Sequence, residues 1–137
     1  MTQALTCFLI DDDEDDREIF IMALEGCNSA HRCVTATNGK DALQKLNADP
    51  IGIPDFIFLD LNMPIMNGKQ FLKERSEIAH IAAVPVIIYT TSSYEKDIQE
   101  AQQLGAAHFL IKPSSIAKLE KILSRLFQNE VRSFILD

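Results

Sequence analysis

The sequence predicts an α/β protein, a parallel sheet of five strands alternating with five helices. Four short apolar runs have strand length: Cys7-Phe8-Leu9-Ile10, Phe56-Ile57-Phe58-Leu59, Val86-Ile87-Ile88-Tyr89 and Phe109-Leu110-Ile111. They are apolar at consecutive positions, as strands covered on both faces are. Segments with helical spacing separate them, the pattern of repeated β-α units. Each run also stops on a polar residue: Asp11-Asp12, Asp60, Thr90 and Lys112-Pro113. In such sheets ligands bind beyond the carboxyl ends of the strands, at a topological switch point. Carboxylates, a hydroxyl and a lysine from distant parts of the chain are therefore expected at one edge.

Taken in order, strand 1 is expected at about Thr6–Ile10 and helix 1 from about Asp15 to Glu25. Ile19, Phe20, Ala23, Leu24 and Cys27 share one face of that helix. Its acidic start (Glu14, Asp15, Asp16) suits the positive end of a helix dipole, and Gly26 is placed to end it. Strand 2 is expected at about Arg32–Ala36. Asn38-Gly39 leads into helix 2, with Ala42, Leu43 and Leu46 inward and Pro50 marking the exit. Strand 3 covers about Phe56–Leu59, and Met63-Pro64 forms a loop. Helix 3 begins after Asn67-Gly68 and buries Phe71 and Leu72. Strand 4 follows Pro85. Helix 4 is expected to start near Ser92 or Ser93 and to stop at Gly105. Strand 5 covers about His108–Ile111. Helix 5 carries Ile116, Leu119, Ile122, Leu123 and Leu126 on one stripe. The last nine residues, 129–137, hold the apolar trio Phe134-Ile135-Leu136 outside the regular pattern. That trio reads as a dimerisation surface, as a cover for the sheet edge or helix 5, or as a mobile end.

A chain of 137 residues with 47% hydrophobic and 24% charged residues fits one soluble domain. No apolar run reaches membrane-spanning length, and the N-terminus lacks the basic region of a secretory signal. Cys7, Cys27 and Cys33 form no close pair, which suits reduced core residues in a cytoplasmic protein. The net charge of −7 argues against direct nucleic-acid binding. His31, His80 and His108 are scattered, with no metal or triad spacing. No glycine-rich phosphate loop is present.

The polar strand ends carry the chemistry. If strands 1 and 3 are neighbours, Asp11, Asp12 and Asp60 converge. Two carboxylates about 4 Å apart repel by roughly 4 kcal/mol at an effective dielectric of about 20, so such a cluster calls for a cation. Oxygen ligands that leave room for water suit Mg²⁺. A lysine at the end of a buried strand is costly unless it meets an anion. Carboxylates, a metal, Lys112 and the Thr90 hydroxyl are the parts needed for phosphoryl transfer, with a carboxylate as nucleophile. Taken singly, each has a plainer reading. Asp11–Asp16 fits an acidic helix start, Thr90 a strand residue, Lys112 a salt bridge without a ligand and Phe109 core packing.

The chain resembles a response-regulator receiver domain, the phospho-accepting module of two-component signalling. The matching pieces are Leu9-Ile10-Asp11-Asp12-Asp13, Phe58-Leu59-Asp60-Leu61-Asn62-Met63-Pro64 with Asn67-Gly68, Pro85-Val86-Ile87-Ile88-Tyr89-Thr90, and Ile111-Lys112-Pro113. They occur in the family's order over about residues 5–128. The resemblance implies a flavodoxin-like (CheY-like) doubly wound sheet in the order 2-1-3-4-5. Residues 1–128 then form the receiver and 129–137 a tail, with no output domain. Asp60 resembles the phospho-acceptor. Asp11 and Asp12 resemble the acidic pair that holds Mg²⁺, with Asp12 and Asp60 as direct ligands and Asp11 acting through water. Asp13 is an alternative member of the pair, less favoured because the apolar run stops at Ile10. Asn62 stands where the family offers a backbone carbonyl to the metal. Thr90 resembles the switch hydroxyl, Lys112 the phosphoryl-contacting lysine and Phe109 the aromatic switch residue. The Lys112–Pro113 bond is cis in the family.

Two departures stand out. Phe109 has no ring hydroxyl to hydrogen-bond when buried. Thr91 puts a β-branched side chain where the family favours a small one, which bears on access to the site. The expected function is a signalling switch or phosphorelay intermediate rather than an enzyme. It would take a phosphoryl group from a sensor histidine kinase or histidine phosphotransfer protein. Its helix 4, strand 5 and helix 5 face would then engage a downstream target protein. A monomer or weak homodimer is expected, with no membrane or nucleic-acid partner. Two other readings are an aspartate-nucleophile Mg²⁺-dependent phosphohydrolase and a pseudo-receiver that only docks. The first is weakened by Asn62, where a catalytic acid would sit, and by the lack of an insertion long enough for a cap.

Overall fold

A computed structural model describes residues 3–48 and 52–137. The five expected strands form as β1 (Thr6–Ile10), β2 (Arg32–Ala36), β3 (Phe56–Leu59), β4 (Val86–Thr90) and β5 (His108–Ile111). Five helices alternate with them: α1 (Glu14–Cys27), α2 (Gly39–Asn47), α3 (Gly68–Arg75), α4 (Glu95–Gln103) and α5 (Ile116–Phe127). A two-residue strand, β6 (Ile135–Leu136), follows α5. All pairings are parallel, and the sheet order is β2-β1-β3-β4-β5-β6. The expected five-strand order 2-1-3-4-5 is thus extended by one edge strand.

Strand side chains alternate between two cores because successive residues point to opposite faces. Phe8, Ile10, Ile57, Leu59, Val86, Ile88 and Phe109 pack with the buried residues of α2, α3 and α4. Cys7, Leu9, Phe58, Ile87, Tyr89 and Leu110 pack with those of α1 and α5. Phe20 of α1 anchors the second core, its ring 4.7 Å from Phe58 and 5.5 Å from Tyr89. Burial pushes the Cys33 thiol up to about 12 and moves that of Cys7 in the same direction, so neither is a ready thiolate.

Several local expectations are corrected. Gly26 does not end α1. It lies within the helix, which is capped at Asn28, and faces α5 so closely that a Cβ would strike the Glu120 carboxyl. α4 starts at Glu95 rather than near Ser92 or Ser93. The Ser92 hydroxyl donates to Asp97 Oδ2 at 2.6 Å and accepts from the Tyr94 amide at 3.3 Å, which shapes a turn before the helix. On α5, Leu119, Ile122, Leu123 and Leu126 are buried, whereas Ile116, in the first turn, is exposed. Pro50, the expected exit of helix 2, lies outside the described residues.

The trio Phe134-Ile135-Leu136 covers the sheet edge. The Phe109 amide donates to the Phe134 carbonyl at 2.8 Å, and Leu136 is buried. This gives the open edge of β5 a backbone partner. The Phe134 ring lies 6.5 Å from that of Phe109.

One packed group at the amino ends of the strands makes stability depend on pH. His31 is buried, and its Nδ1 accepts from the Leu5 amide at 2.9 Å, so that nitrogen carries no proton. Burial holds its pKa below the ordinary 6.5, against the opposing pull of Asp55. The unfolded chain therefore binds the proton first, and this group's contribution falls as pH drops from 6.5 toward the folded-state value. A His31→Gln variant, which keeps an acceptor but does not titrate, is expected to lose less stability than wild type between pH 7 and 5. Urea unfolding at each pH measures it.

Candidate functional site

Backbone hydrogen bonds carry the strand ladders one residue past the strand ends. Asp11 N donates to Ala36 O at 3.0 Å, Asp60 N to Ile10 O at 3.0 Å and Lys112 N to Thr90 O at 2.7 Å. The polar residues after β1, β3 and β5 are thus held by the sheet itself. Strands β1 and β3 are neighbours in register, with Ile10 opposite Leu59. Asp11, Asp12 and Asp60 therefore meet, and each offers a carboxylate oxygen within 4.8 Å of the other two. Asp11 and Asp60 are buried, whereas Asp12 is exposed.

Lys112 reaches into this cluster from β5. Its Nζ lies 2.8 Å from Asp11 Oδ2, 2.7 Å from Asp16 Oδ2 and 3.4 Å from Asp60 Oδ2. It also stands 5.2 Å from the centroid of the Tyr89 ring. Burial works against the charge on Lys112, but the hydrogen bonds to Asp11 and Asp16 and the charge of Asp60 outweigh it and hold the ammonium protonated. Asp11 is raised above the usual carboxylate range by desolvation, despite Lys112. No peptide bond among the described residues is cis, so Lys112–Pro113 is trans, the favoured isomer. The lysine reaches all three carboxylates from that geometry.

Thr90 ends β4, the strand between β3 and β5. It is fully buried, and its Oγ1 accepts from the Ser92 amide at 3.4 Å. Phe109 is buried on the opposite side of the sheet from α1 and α5. Asn62 donates its backbone N–H to Asp60 Oδ1 at 3.3 Å, which orients that carboxylate.

The loop from β3 to α3 is built for close approach. Asn67 caps α3: its side chain accepts from Gln70 N at 3.0 Å, and Gln70 Oε1 accepts from Asn67 N at 3.1 Å. Gly68 N donates to Leu61 O at 3.0 Å, and a Cβ on Gly68 would strike the carbonyl oxygen of Asp60. Only glycine lets the helix start sit directly behind Asp60.

The donor set fits a hard divalent cation. Three carboxylates converge, and the single Lys112 ammonium, 2.8 Å from the fully buried Asp11 Oδ2, offsets only part of their charge. A buried carboxylate oxygen with spare acceptor capacity is what such an ion uses.

The sequence pattern of the response regulator receiver domain matches residues 7–124. The chain belongs to the response regulator receiver family. It is a receiver domain of two-component phosphorelay signalling, with the parallel α/β fold of that family. Receiver domains bind a divalent cation at an acidic pocket, and they interact with histidine kinases and downstream effectors. A probable cyclic di-GMP phosphodiesterase of Vibrio cholerae is 34% identical over 122 residues, covering 89% of this chain and 26% of that protein. The two-component response regulator ORR7 of Oryza sativa subsp. japonica is 31% identical over 119 residues, covering 87% of this chain and 55% of that protein. The chain thus spans about half or less of the length of these relatives. The crystal structure of the phosphorylated cyanobacterial phytochrome response regulator RcpA superposes with a TM-score of 0.83 at 25% identity. That match covers 95% of this chain and 98% of that one. No helix among the described residues of the receiver is long and apolar enough to cross a membrane.

The structure brings together Asp11, Asp12, Asp60, Thr90 and Lys112, with Asn62 alongside. It adds two residues that sequence reasoning passed over, Asp16 and Tyr89. Asp16 had a signal: continuing the buried stripe of Phe20, Ala23 and Leu24 back one helical turn lands on it. Tyr89 read simply as the apolar end of β4.

Proposed function

We propose that this receiver accepts a phosphoryl group from a phosphohistidine onto Asp60. One observation carries the reading. The buried Asp60 carboxylate, held by the Asn62 N–H, faces the Lys112 ammonium at 3.4 Å beside two further carboxylates. A carboxylate oxygen of Asp60 forms a bond to phosphorus as the bond from phosphorus to the histidine nitrogen breaks, and that nitrogen takes the electron pair. Asp11, Asp12, Asp60 and the Asn62 carbonyl would hold Mg²⁺. When bound, the ion neutralises charge on the transferring oxygens. Lys112 contacts a phosphoryl oxygen, and the buried Thr90 hydroxyl follows the group.

The switch is a shift between two packings. Thr90 moves toward the phosphoryl group, Phe109 takes up the vacated space, and the face of α4, β5 and α5 changes shape for a partner. The donor is a sensor histidine kinase or histidine phosphotransfer protein, and the receptor is a downstream target protein in the cytoplasm. The likeness to RcpA, a response regulator seen in its phosphorylated form, supports the reading.

Intact mass after incubation with acetyl phosphate tests it. Wild type is expected to gain one phosphoryl group only with Mg²⁺, and Asp60→Asn none. A folded wild type that gains no mass, from acetyl phosphate or from a panel of phosphorylated kinases, overturns the reading in favour of a docking-only receiver.

A further inference from the structure

Asp16 makes a close ion pair at the site, and the functional reading gives it no role. Its Oδ2 lies 2.7 Å from Lys112 Nζ, compared with 3.4 Å from that nitrogen to Asp60. It comes from the first turn of α1, whereas Asp11 and Asp60 come from strand ends. Its side chain is 30% exposed, whereas those of Asp11 and Asp60 are nearly or fully buried. Lys112 therefore has two strong partners, one toward the carboxylate cluster and one toward the solvent side.

We infer that Asp16 is a positioning residue that holds Lys112 away from Asp60 and competes with the phosphoryl group for it. The inference rests on Asp60 being the acceptor. Charge balance gives its sign. Asp11, Asp12, Asp16 and Asp60 carry four negative charges against one on Lys112 and two on a divalent cation. The fourth carboxylate leaves the site anionic before any phosphoryl group arrives. It thereby favours the cation and disfavours a further anion. A lysine ammonium has three donors and no fixed fork, so it can turn from one acceptor to another. In the phosphorylated form, Lys112 must share its donors between Asp16 and the phosphoryl oxygens. Asp16 thus shortens the phosphorylated state. In the hydrolytic step, water attacks phosphorus, the bond from phosphorus to Asp60 breaks, and Asp60 regains its carboxylate as inorganic phosphate leaves.

The test compares wild type, Asp16→Asn and Asp16→Glu. Mg²⁺ affinity is measured by calorimetry. Affinity for trifluoroberyllate, a phosphoryl mimic, is then measured at saturating Mg²⁺. Asp16→Asn keeps the shape and removes the charge. It is expected to bind Mg²⁺ more weakly and the mimic more tightly, each by roughly three- to fivefold. Asp16→Glu, which keeps the charge, is expected to move both back toward wild type. Opposite shifts cannot come from a loosened fold, which would weaken both. The lifetime of the phosphorylated protein should lengthen in Asp16→Asn by a similar factor. If wild type binds the mimic and Asp16→Asn binds it equally or more weakly, this inference fails while the acceptor role of Asp60 stands. If wild type binds no mimic and gains no phosphoryl group, both fail.

Discussion

Lys112→Met is expected to destabilise the metal-free protein by about 3 kcal/mol at neutral pH. The lysine ammonium is the one cation within salt-bridge distance of Asp11 and Asp60 among the described residues, and both carboxylates are buried. Methionine fills the same volume without the charge, so packing against Tyr89 is largely kept and the electrostatic loss is isolated. Asp11 is already raised by desolvation with Lys112 present. Without it, the carboxylates face one another with no counter-ion. Millimolar Mg²⁺ is then expected to restore much of the loss, because the ion replaces the missing positive charge among the same oxygens. The urea midpoint with and without Mg²⁺ is the measurement. A loss that Mg²⁺ leaves untouched would mean that Lys112 acts through packing alone.

Gly68→Ala is expected to cost about 2 kcal/mol and to slow phosphoryl acceptance by Asp60 at least tenfold. The added methyl would meet the Asp60 carbonyl oxygen and the Leu61 Cα, which are backbone atoms that no rotamer change can clear. Either α3 withdraws, straining the bond from Gly68 N to Leu61 O, or the backbone of Asp60 shifts. The second response moves the acceptor carboxylate relative to Lys112 and Thr90. Urea unfolding measures the first effect, and the rate of mass gain from acetyl phosphate measures the second. Alanine at Gly52 is the control, because nothing among the described residues lies within 4 Å of a Cβ there. That glycine has φ of 69°, so its cost comes from backbone strain alone. Phosphoryl acceptance should be unchanged in that variant.

The strand ends were legible in the sequence because a buried parallel strand is a local signal. Its apolar run stops where the sheet stops, so Asp11, Asp60, Thr90 and Lys112 were marked by the residues beside them. Other features depended on tertiary placement. The pairing of Asp16 with Lys112 spans 96 positions and requires the lysine to reach past Tyr89 to the first turn of α1. As sequence, Asp16 fitted a helix dipole equally well. Strand β6 has two residues, too few for any periodicity, and exists because β5 offers an edge. The start of α4 shifted because Asp97 takes the Ser92 hydroxyl, which leaves Tyr94 as a cap without a side-chain bond. The bond before Pro113 is trans, not cis as the resemblance implied, and nothing in the pair Lys112-Pro113 as sequence distinguishes the two isomers.

The direction of β6 determines where attachments to this protein would sit. Because β6 runs parallel to β5, with Leu136 opposite Leu110, Asp137 lies at the carboxyl rim of the sheet, level with Ile111. Three strand spacings separate β6 from β3, a lateral distance of about 15 Å from Asp60. Thr6, at the start of β1, lies at the opposite rim. A dye or affinity handle joined after Asp137 would share the approach used by a phosphoryl donor and would crowd it. The same handle joined ahead of β1 would hang from the far side and leave that approach clear. For a surface-tethered binding assay, immobilisation through the amino end keeps the acceptor facing the solution.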